Sequence, residues 1–441
     1  MLVKHISTTL VTQLFTVIAN ILTSMVISRA LQPEGKGILA AYLTTVNFIV
    51  LFGTVGLPKA YTYEVGRVKG QQETISTSFA VAVINAVLVA LLTVQLARIE
   101  VGGVFDQFDA TILNLAVPTT IVTLLFGAFN AILRGMNRIT ECNVGLLIFQ
   151  SLYLVLNVGI AWLFDLTLDR VIIVYVTSYL VAILYYYIVI RRTSPGRAFS
   201  FAAVRGLFRY GLKYQAYSAI NMLHNRVDIL ILGVLLTDAQ VGFYSTAVTI
   251  AQMLWNLPLA ITFVLLPYVA SHQDEQDISQ RTAQVTRAST LLLIVASVGL
   301  AFVSPLLIEI VYGESFVPAV SPLRVLLPGA IAYSIVYVAA ADLLGRDKLV
   351  SLTLVSGCVL VVNVGLNFLL IPNLGVEGAA LTSTLTYSLN AIAVAWLIKR
   401  NSRITMRDVL VPRWSDVTLM FGAFRRTLAA LPEKLSRRSS S

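Results

Sequence analysis

The sequence predicts an all-α integral membrane protein with twelve transmembrane helices, on the basis of its composition, its apolar windows and the distribution of its Lys and Arg residues. Of its 441 residues, 57% are hydrophobic and 12% are charged, whereas a soluble domain is about 45–50% apolar and about 25% charged. So few charged residues cannot cover the surface of a soluble enzyme of this length. The composition also excludes a disordered chain and a nucleic-acid binder. Two cysteines exclude a disulfide framework, and Cys142 and Cys358 are predicted to be small buried residues.

Twelve windows of about 20 residues are long and apolar enough to cross a bilayer core of about 30 Å as helices. Ten of them carry no charge, whereas one contains His224, Arg226 and Asp228 and another contains Arg324. The first window is too long for the apolar region of a cleaved signal peptide. In chain order the windows are 6–28, 37–58, 74–97, 110–133, 142–164, 171–190, 214–237, 245–269, 288–308, 320–341, 349–371 and 378–398.

The Lys and Arg residues divide unevenly between alternate loops. If the N-terminus is inside, the inside segments hold 26 of the 32 Lys and Arg residues, the outside segments hold five, and Arg226 lies within a window. Cytoplasmic loops of membrane proteins carry such an excess. Both termini are therefore predicted to be cytoplasmic.

The chain shows a weak internal repeat at an offset of 205 to 210 residues. The segment L-Q-P-E-G-K-G-I-L (31–39) matches L-T-D-A-Q-V-G-F-Y (236–244), and L-R-G-M-N-R (133–138) matches L-L-G-R-D-K (343–348). Six windows in each half give both halves the same orientation, so a pseudo-two-fold axis along the membrane normal is expected to relate two six-helix bundles. A chance likeness between membrane turns is the alternative.

The predicted division of the chain is an N-terminal bundle at 1–190, a basic cytoplasmic linker at 191–213, a C-terminal bundle at 214–398 and a basic cytoplasmic tail at 399–441. Within the tail, apolar residues recur at helical spacing over 415–431. This pattern predicts an amphipathic helix on the anionic inner leaflet, or alternatively a helix that binds a partner protein.

The sequence contains no motif for catalysis, nucleotide hydrolysis or metal binding. The longest outside loop, 98–109, is too short for a catalytic domain, and no phosphate-binding G-x-x-x-x-G-K-[ST] loop occurs. The three His residues form no cluster with Cys or acidic residues at metal-ligand spacing. We therefore expect no catalytic residue, no metal site and no cofactor, and transport remains as the expected class of function.

Polar residues recur at membrane depth, where they are costly and usually face the helix bundle or a water-filled cavity. In the first window Gln13, Thr16 and Asn20 share one face, and in the fifth Gln150 and Asn157 lie seven residues apart. These side chains are predicted to line a cavity. The alternative is that they hydrogen-bond between helices and serve only packing.

Segment 221–228 has the highest density of polar and ionisable residues within a window. His224 and Asp228 are four residues apart and share a helical face, so the pair is predicted to be able to carry a proton. Asn221 and Asn225 extend that face. Arg226 lies beside it and suits a phosphate group, which a guanidinium binds through two hydrogen bonds. The alternative is a buried salt bridge to another helix.

Several segments resemble a known family when taken in order. They are S-R-A-L-Q-P-E-G-K-G-I-L-A-A-Y (28–42), G-T-V-G-L-P-K-A (53–60), R-V-D-I-L-I-L-G (226–233), V-G-F-Y-S-T-A (241–247), V-Y-G-E-S-F (311–316) and I-P-N-L-G-V-E-G-A-A (371–380). Together they resemble bacterial polysaccharide flippases of the O-antigen type, in the superfamily of multidrug, oligosaccharidyl-lipid and polysaccharide exporters. The resemblance covers roughly residues 5–400.

The resemblance implies a cationic central cavity and alternating access in the bacterial cytoplasmic membrane. The implied cargo is an undecaprenyl-diphosphate-linked oligosaccharide, coupling to a proton or sodium gradient is left open, and the implied partners are membrane lipid and other polysaccharide-assembly proteins. On this resemblance Arg226, Arg29 and Lys59 are the residues expected to hold the diphosphate.

Two other functions remain open from the sequence. A cation-coupled multidrug extruder of the same superfamily would need acidic residues in its cavity, and Asp228 is the one acid that lies deep in a window. A membrane polymerase or ligase would need larger outside loops.

Overall fold

The computed structural model describes residues 2–67, 72–98, 108–194, 196, 198–256, 258–259, 262, 269 and 275–401. Within these ranges the secondary structure is helical, as the composition predicts. The segments are α1 (Leu2–Thr54), α2 (Leu57–Arg67), α3 (Gln72–Arg98), α4 (Ala110–Gly135), α5 (Ile139–Leu163), α6 (Leu168–Thr193), α7 (Phe201–Leu235), α8 (Asp238–Met253), α9 (Glu275–Tyr312), a 3-10 segment (Glu314–Ala319), α10 (Val320–Gly345) and α11 (Leu349–Asn401).

Eight helices in the described part of the chain are long and apolar enough to cross a membrane. They contain ten of the twelve predicted windows, because α1 and α11 each contain two. Backbone breaks separate these pairs, at Gln32 (φ 58°) before Pro33 in α1 and at Gly375 (φ 60°) in α11. Proline disfavours helical geometry in the residue before it, which explains why α1 breaks at Gln32.

The second window ends earlier than predicted. The chain leaves the helix at Val55 and Gly56, both with positive φ, and starts the separate helix α2 at Leu57. A Cβ on Gly56 would lie 2.1 Å from the carbonyl oxygen of Gly211 in α7, so this position requires glycine. The break therefore lets α2 turn and pack against α7.

Helix α7 begins at Phe201, inside the segment 191–213 predicted as a linker. Ser200 caps it, because the Ser200 hydroxyl accepts a hydrogen bond from the Ala203 amide at 3.3 Å. The predicted division at 190 and 214 stays a prediction. The predicted tail helix 415–431 lies outside the described residues.

The described residues fall into two compact units, with the bounds Met1–Ser245 plus Leu306–Ala319 and Thr246–Pro305 plus Val320–Ser441. In the first unit, α3 to α6 pack around an aromatic cluster that includes Phe126, Phe149 and Tyr179. The rings of Phe149 and Tyr179 lie 4.0 Å apart. In the second unit α10 packs along α11, and Trp255 lies 4.7 Å from Tyr333, centroid to centroid.

The prediction that both cysteines are buried is correct for Cys142 and wrong for Cys358, which is exposed. Its neighbours Leu354 and Val361 are also exposed, so this side of α11 is an apolar surface. In a membrane protein the solvent for such a surface is lipid, which removes the energetic reason for burial.

The two turns that the sequence pairs at an offset of 210 have the same backbone conformation. Asn137 and Asp347 have φ of 60° and 56°. The Arg138 amide donates to the Leu133 carbonyl at 2.8 Å, and the Lys348 amide donates to the Leu343 carbonyl at 2.8 Å. Both helices thus end in the same left-handed capping motif, which aspartate and asparagine tolerate better than most residues.

The pair Gly37 and Gly242, matched at an offset of 205, lies at a close crossing of α1 and α8 in the first unit. A Cβ on Gly37 would be 1.8 Å from the Asp238 carbonyl oxygen, and one on Gly242 would be 2.0 Å from the Pro33 carbonyl oxygen. Small residues at membrane helix crossings let backbones approach this closely. The contact is reciprocal, because Pro33 and Asp238 are matched at the same offset.

We predict that Gly37→Ala destabilises the protein by about 1–3 kcal/mol, because the added methyl group must push two backbones apart. Gly159→Ala is the matched control, since nothing lies within 4 Å of a Cβ at Gly159 in α5. Thermal unfolding of the purified protein in detergent measures both variants. Equal melting temperatures for Gly37→Ala and Gly159→Ala would contradict the close crossing.

Candidate functional site

The ionisable residues of α7 form a buried polar cluster in the first unit. His224 and Asp228 are each 2% exposed and face the same side of the helix. Ile229 and Leu232, which follow them, are fully buried. A pair of titratable side chains is thus buried within a predicted transmembrane window, where such groups are costly and are usually functional.

The described contacts of Asp228 include two donors. Its Oδ1 accepts from the Ile229 amide at 2.8 Å, and its Oδ2 accepts from the hydroxyl of Tyr244 in α8. Tyr244 is fully buried. A buried carboxylate needs such donors to offset its loss of hydration, so Tyr244 positions the acid.

The sequence assigned no role to Tyr244, although it lies in the segment V-G-F-Y-S-T-A that carries the family resemblance. The sequence signal that could have predicted this role is that Tyr244 lies in an apolar segment, and that the preceding apolar segment contains one acidic residue, Asp228. Such a hydroxyl needs a partner when it is buried.

The asparagines beside this pair use part of their hydrogen-bonding capacity within α7. The Asn221 amide group donates to the Tyr217 carbonyl at 3.1 Å, and that of Asn225 donates to the Asn221 carbonyl at 2.8 Å. Both side chains are half-buried, as is Arg226. Arg226 is therefore less enclosed than His224 and Asp228, which agrees with its predicted position beside their face.

The predicted polar stripes of the first and fifth windows meet each other. The Gln150 amide in α5 donates to Asn20 Oδ1 in α1 at 2.9 Å. Asn157 is fully buried and donates to the Tyr153 carbonyl at 2.6 Å. Gln13 is half-buried in α1. The contact between Asn20 and Gln150 is an interhelical hydrogen bond, the packing role that the sequence left open as the alternative.

The two other predicted cations lie at helix ends and are exposed. The Arg29 guanidinium donates to the main-chain carbonyls of Ile310 and, at 3.2 Å, Val311. These carbonyls belong to the last turn of α9, where a cation offsets the unpaired acceptors and the helix dipole. Lys59 lies in the first turn of α2. The described hydrogen bonds of Arg29 thus cap a helix.

Lys36 is half-buried, although the sequence predicts that it lies in an outside loop. Lys36 lies in α1 after the break at Gln32, and its ammonium group donates to Ser24 Oγ at 3.2 Å. The break folds the residues after it back toward those before it, which brings the lysine to Ser24. Hydropathy divides this part of the chain into two windows joined by a loop, so it does not predict the contact between Lys36 and Ser24.

A second buried acid lies at the end of α10. Asp342 is 1% exposed, and its carboxylate accepts from Arg346 at 2.9 Å and from the Thr282 hydroxyl at 3.0 Å. Arg346 also donates to Ser279 Oγ at 3.1 Å. The predicted window ended at residue 341, one residue too early. The spacing of four between Asp342 and Arg346 was the signal that could have found the pair.

In the part of the chain that the structure describes, no group of three or more His, Cys, Asp and Glu residues could hold a metal ion. The α7 cluster instead combines the imidazole of His224, the carboxyl group of Asp228 and the guanidinium of Arg226, and the phenol of Tyr244 in α8 contacts the carboxyl group. This set can bind and release a proton and can bind an anionic phosphate group.

A family model described as "Polysaccharide biosynthesis protein" matches residues 26–321. The chain therefore belongs to this family of membrane proteins of polysaccharide biosynthesis, and the resemblance predicted from the sequence is confirmed.

Two relatives have names that agree with this family. The "probable low-salt glycan biosynthesis flippase Agl15" of Haloferax volcanii is 32% identical over 199 residues, which are 44% of this chain and 42% of that protein. A protein of Shigella flexneri named as an O-antigen transporter is 24% identical over 395 residues, 85% of this chain and 92% of that protein. The chain thus matches less than half the length of the first relative. Both names are those of transporters, which confirms the prediction of a transporter rather than an enzyme.

Solved structures show the same fold at low identity. An inward-facing multidrug transporter of the MATE family has a TM-score of 0.73 at 14% identity, covering 88% of this chain and 94% of that one. The lipid II flippase MurJ in an inward closed conformation has a TM-score of 0.72 at 12% identity, covering 94% and 92%. The all-helical fold of these two proteins is therefore shared by this chain.

We predict that Arg346→Gln destabilises the protein by about 3–5 kcal/mol, because it leaves the buried Asp342 carboxylate without its cation. The control is Arg138→Gln at the matching turn after α4. There the Arg138 side chain is 44% exposed and its pair with Glu141 is 2.7 Å long. An exposed pair contributes less than about 1 kcal/mol. Thermal unfolding compares them, and equal losses of stability would show that Asp342 does not depend on Arg346.

Proposed function

We propose that this chain is a flippase that moves an undecaprenyl-diphosphate-linked oligosaccharide across the bacterial cytoplasmic membrane for the synthesis of a surface polysaccharide. The observation that carries the proposal is the ionisable cluster of α7, buried within a member of a polysaccharide biosynthesis family. The two relatives named above carry the names of a glycan biosynthesis flippase and of an O-antigen transporter, which supports the proposal. A membrane protein keeps charged groups at this depth chiefly where a polar cargo or an ion passes.

The proposed architecture is twelve transmembrane helices in two six-helix bundles, with both termini in the cytoplasm. The matching turns at Asn137 and Asp347 and the reciprocal contact of Gly37 and Gly242 support an internal repeat. The uneven division of Lys and Arg supports the orientation. Alternating access then exposes the α7 cluster first to the cytoplasm and then to the outside.

The proposed roles follow from charge and position. The half-buried guanidinium of Arg226 binds the diphosphate, since its planar group can donate two parallel hydrogen bonds to phosphate oxygens. Asn221 and Asn225 extend the same face and supply side-chain amides, groups that can both donate to and accept from sugar hydroxyls, and each amide also donates one bond within α7. The polyprenyl tail stays in the bilayer, so the protein needs to shield only the polar headgroup.

We predict that Arg226→Ala lowers export of the surface polysaccharide at least about tenfold, since it removes charge-assisted hydrogen bonds to the diphosphate. The matched control is Arg192→Ala, which removes an exposed arginine at the end of α6. A knockout strain expressing each variant is assayed for surface glycan, and membrane levels are checked by immunoblot. Full export by Arg226→Ala would remove Arg226 from the mechanism.

We also propose that the proton gradient drives transport through Asp228 and His224. Both groups are buried in α7, and Asp228 is positioned by Tyr244. Protonation removes the charge of the Asp228 carboxylate and weakens the hydrogen bond that it accepts from Tyr244. The packing of α7 against α8 then changes. This gives the two proton states different preferred conformations, as coupling requires.

We predict that Asp228→Asn abolishes the response of transport to a pH gradient, because asparagine cannot bind and release a proton. Asp347→Asn is the control, since it makes the same change at an exposed aspartate outside the α7 cluster. Transport of a short-chain polyprenyl-diphosphate oligosaccharide into proteoliposomes is measured with and without the gradient. A full pH response in Asp228→Asn, or stimulation by sodium alone in the natural protein, would contradict proton coupling.

A cation-coupled multidrug extruder is the second candidate function. The fold shared with a multidrug transporter, at a TM-score of 0.73, favours it. The family match and the glycan names of both relatives favour the flippase. Deleting the gene separates the two: loss of surface glycan supports the flippase, whereas drug sensitivity with normal glycans supports the extruder. Accumulation of single unpolymerised repeat units on the outer face would instead indicate a polymerase or ligase.

A further inference from the structure

A groove lies between α3, the end of α6 and the segment 194–200, all in the first unit. Its volume is about 360 Å³, which falls in the range of about 300–1,000 Å³ typical of small-molecule sites. Most of its wall is apolar, and Val83, Ile84 and Phe199 are between 37% and 55% exposed. On a helix that crosses a membrane, such an exposed apolar wall is open to lipid chains.

The groove is fixed by polar contacts rather than left as a gap between helices. The Ser76 hydroxyl in α3 donates to the Gly196 carbonyl at 2.7 Å. The Ser200 amide donates to Thr77 Oγ1 at 2.9 Å. These two bonds hold the segment after α6 against the first turns of α3. The wall is therefore in place before any ligand binds.

A cation, Arg191, lines the apolar groove. The guanidinium carbon of Arg191 lies 5.3 Å from the centre of the Phe79 ring and 5.7 Å from that of Tyr187. Contact with an aromatic face orients a guanidinium and leaves the N–H groups at its edge available to acceptors. Arg191 thus presents hydrogen-bond donors to whatever occupies the groove.

A second polar group at the groove is unsatisfied. Ser194 is 3% exposed and lines the groove, and its hydroxyl has no hydrogen-bond partner among the residues that the structure describes. Buried hydroxyls usually have a partner. A ligand oxygen next to Arg191 could provide it after a small rotation of the side chain.

Charge complementarity selects the kind of occupant. The segment 191–213 carries six Lys and Arg residues and no acidic residue. A site with an apolar wall, a cation and a basic surrounding fits a molecule that has an acyl chain and an anionic phosphate. Basic pockets between helices on the cytoplasmic side of membrane proteins bind such lipids.

We propose that this groove binds one anionic glycerophospholipid of the bilayer, with its phosphate on Arg191 and part of an acyl chain along Phe79, Val83 and Ile84. The site is separate from the α7 cluster and does not require the cargo. Its assignment to the inner leaflet rests on the orientation proposed above. The bound lipid would brace α3 against the segment that leads into α7.

Native mass spectrometry of the purified full chain tests the proposal with phosphatidylglycerol and phosphatidylcholine of identical acyl chains. We expect phosphatidylglycerol to bind more tightly, and Arg191→Gln to weaken its binding about tenfold or more, as expected for lost bonds to a charged group. Arg192→Gln is the matched control, because this neighbouring arginine is exposed and does not line the groove. Ala80→Trp, which fills the groove, is expected to remove the binding of both lipids.

Three results would overturn the proposal. They are equal binding of the two lipids by the natural protein, equal loss in Arg191→Gln and Arg192→Gln, and tighter binding of undecaprenyl phosphate than of phosphatidylglycerol at the same site. The last would assign the groove to the cargo. Phosphatidylglycerol binding that persists in Arg226→Ala, whatever that variant exports, would show that this site stands independently of the proposed flippase activity.

Discussion

Hydrocarbon offers no hydrogen bonds, so each polar group that lies within the membrane must find its partner inside the protein. Helices satisfy the main chain, and the backbone departs from helical geometry at a few positions such as Gln32, Gly56 and Gly375. Side chains follow the same constraint. Asp228 is held by Tyr244, and Asn20 is joined to Gln150. The placement of helices therefore depends on these polar pairs as well as on apolar packing.

The same constraint separates structural polar groups from those that suit transport. Asp342 with Arg346 and Thr282 is a network whose partners are all present in the second unit. Arg29 is engaged with the carbonyls at the end of α9. The α7 cluster differs because it gathers several titratable groups on one helix, among them a half-buried guanidinium beside a buried acid. That combination is the basis of the cargo and proton roles proposed above.

Composition and apolar periodicity were enough to predict the helices, because burial in lipid requires long apolar stretches whatever the tertiary contacts. They also pointed to α7, since ionisable residues in such a stretch are conspicuous. They did not predict Tyr244 as the partner of Asp228, because the two residues meet only when α8 packs against α7. The pair of Asp342 and Arg346 was missed because the apolar window stops at residue 341, whereas the helix continues through Asp342 to Gly345. Helix ends depend on capping bonds, which hydropathy does not report.

The crossing of Gly37 and Gly242 also follows the internal repeat. Position 33 contacts position 242, and position 37 contacts position 238. In the repeat, position 33 is matched to position 238 and position 37 to position 242, both at an offset of 205. Such mutual exchange of partners is the mark of an interface between two identical subunits. The crossing thus has the form of an isologous contact, in which each backbone meets the counterpart of its own partner.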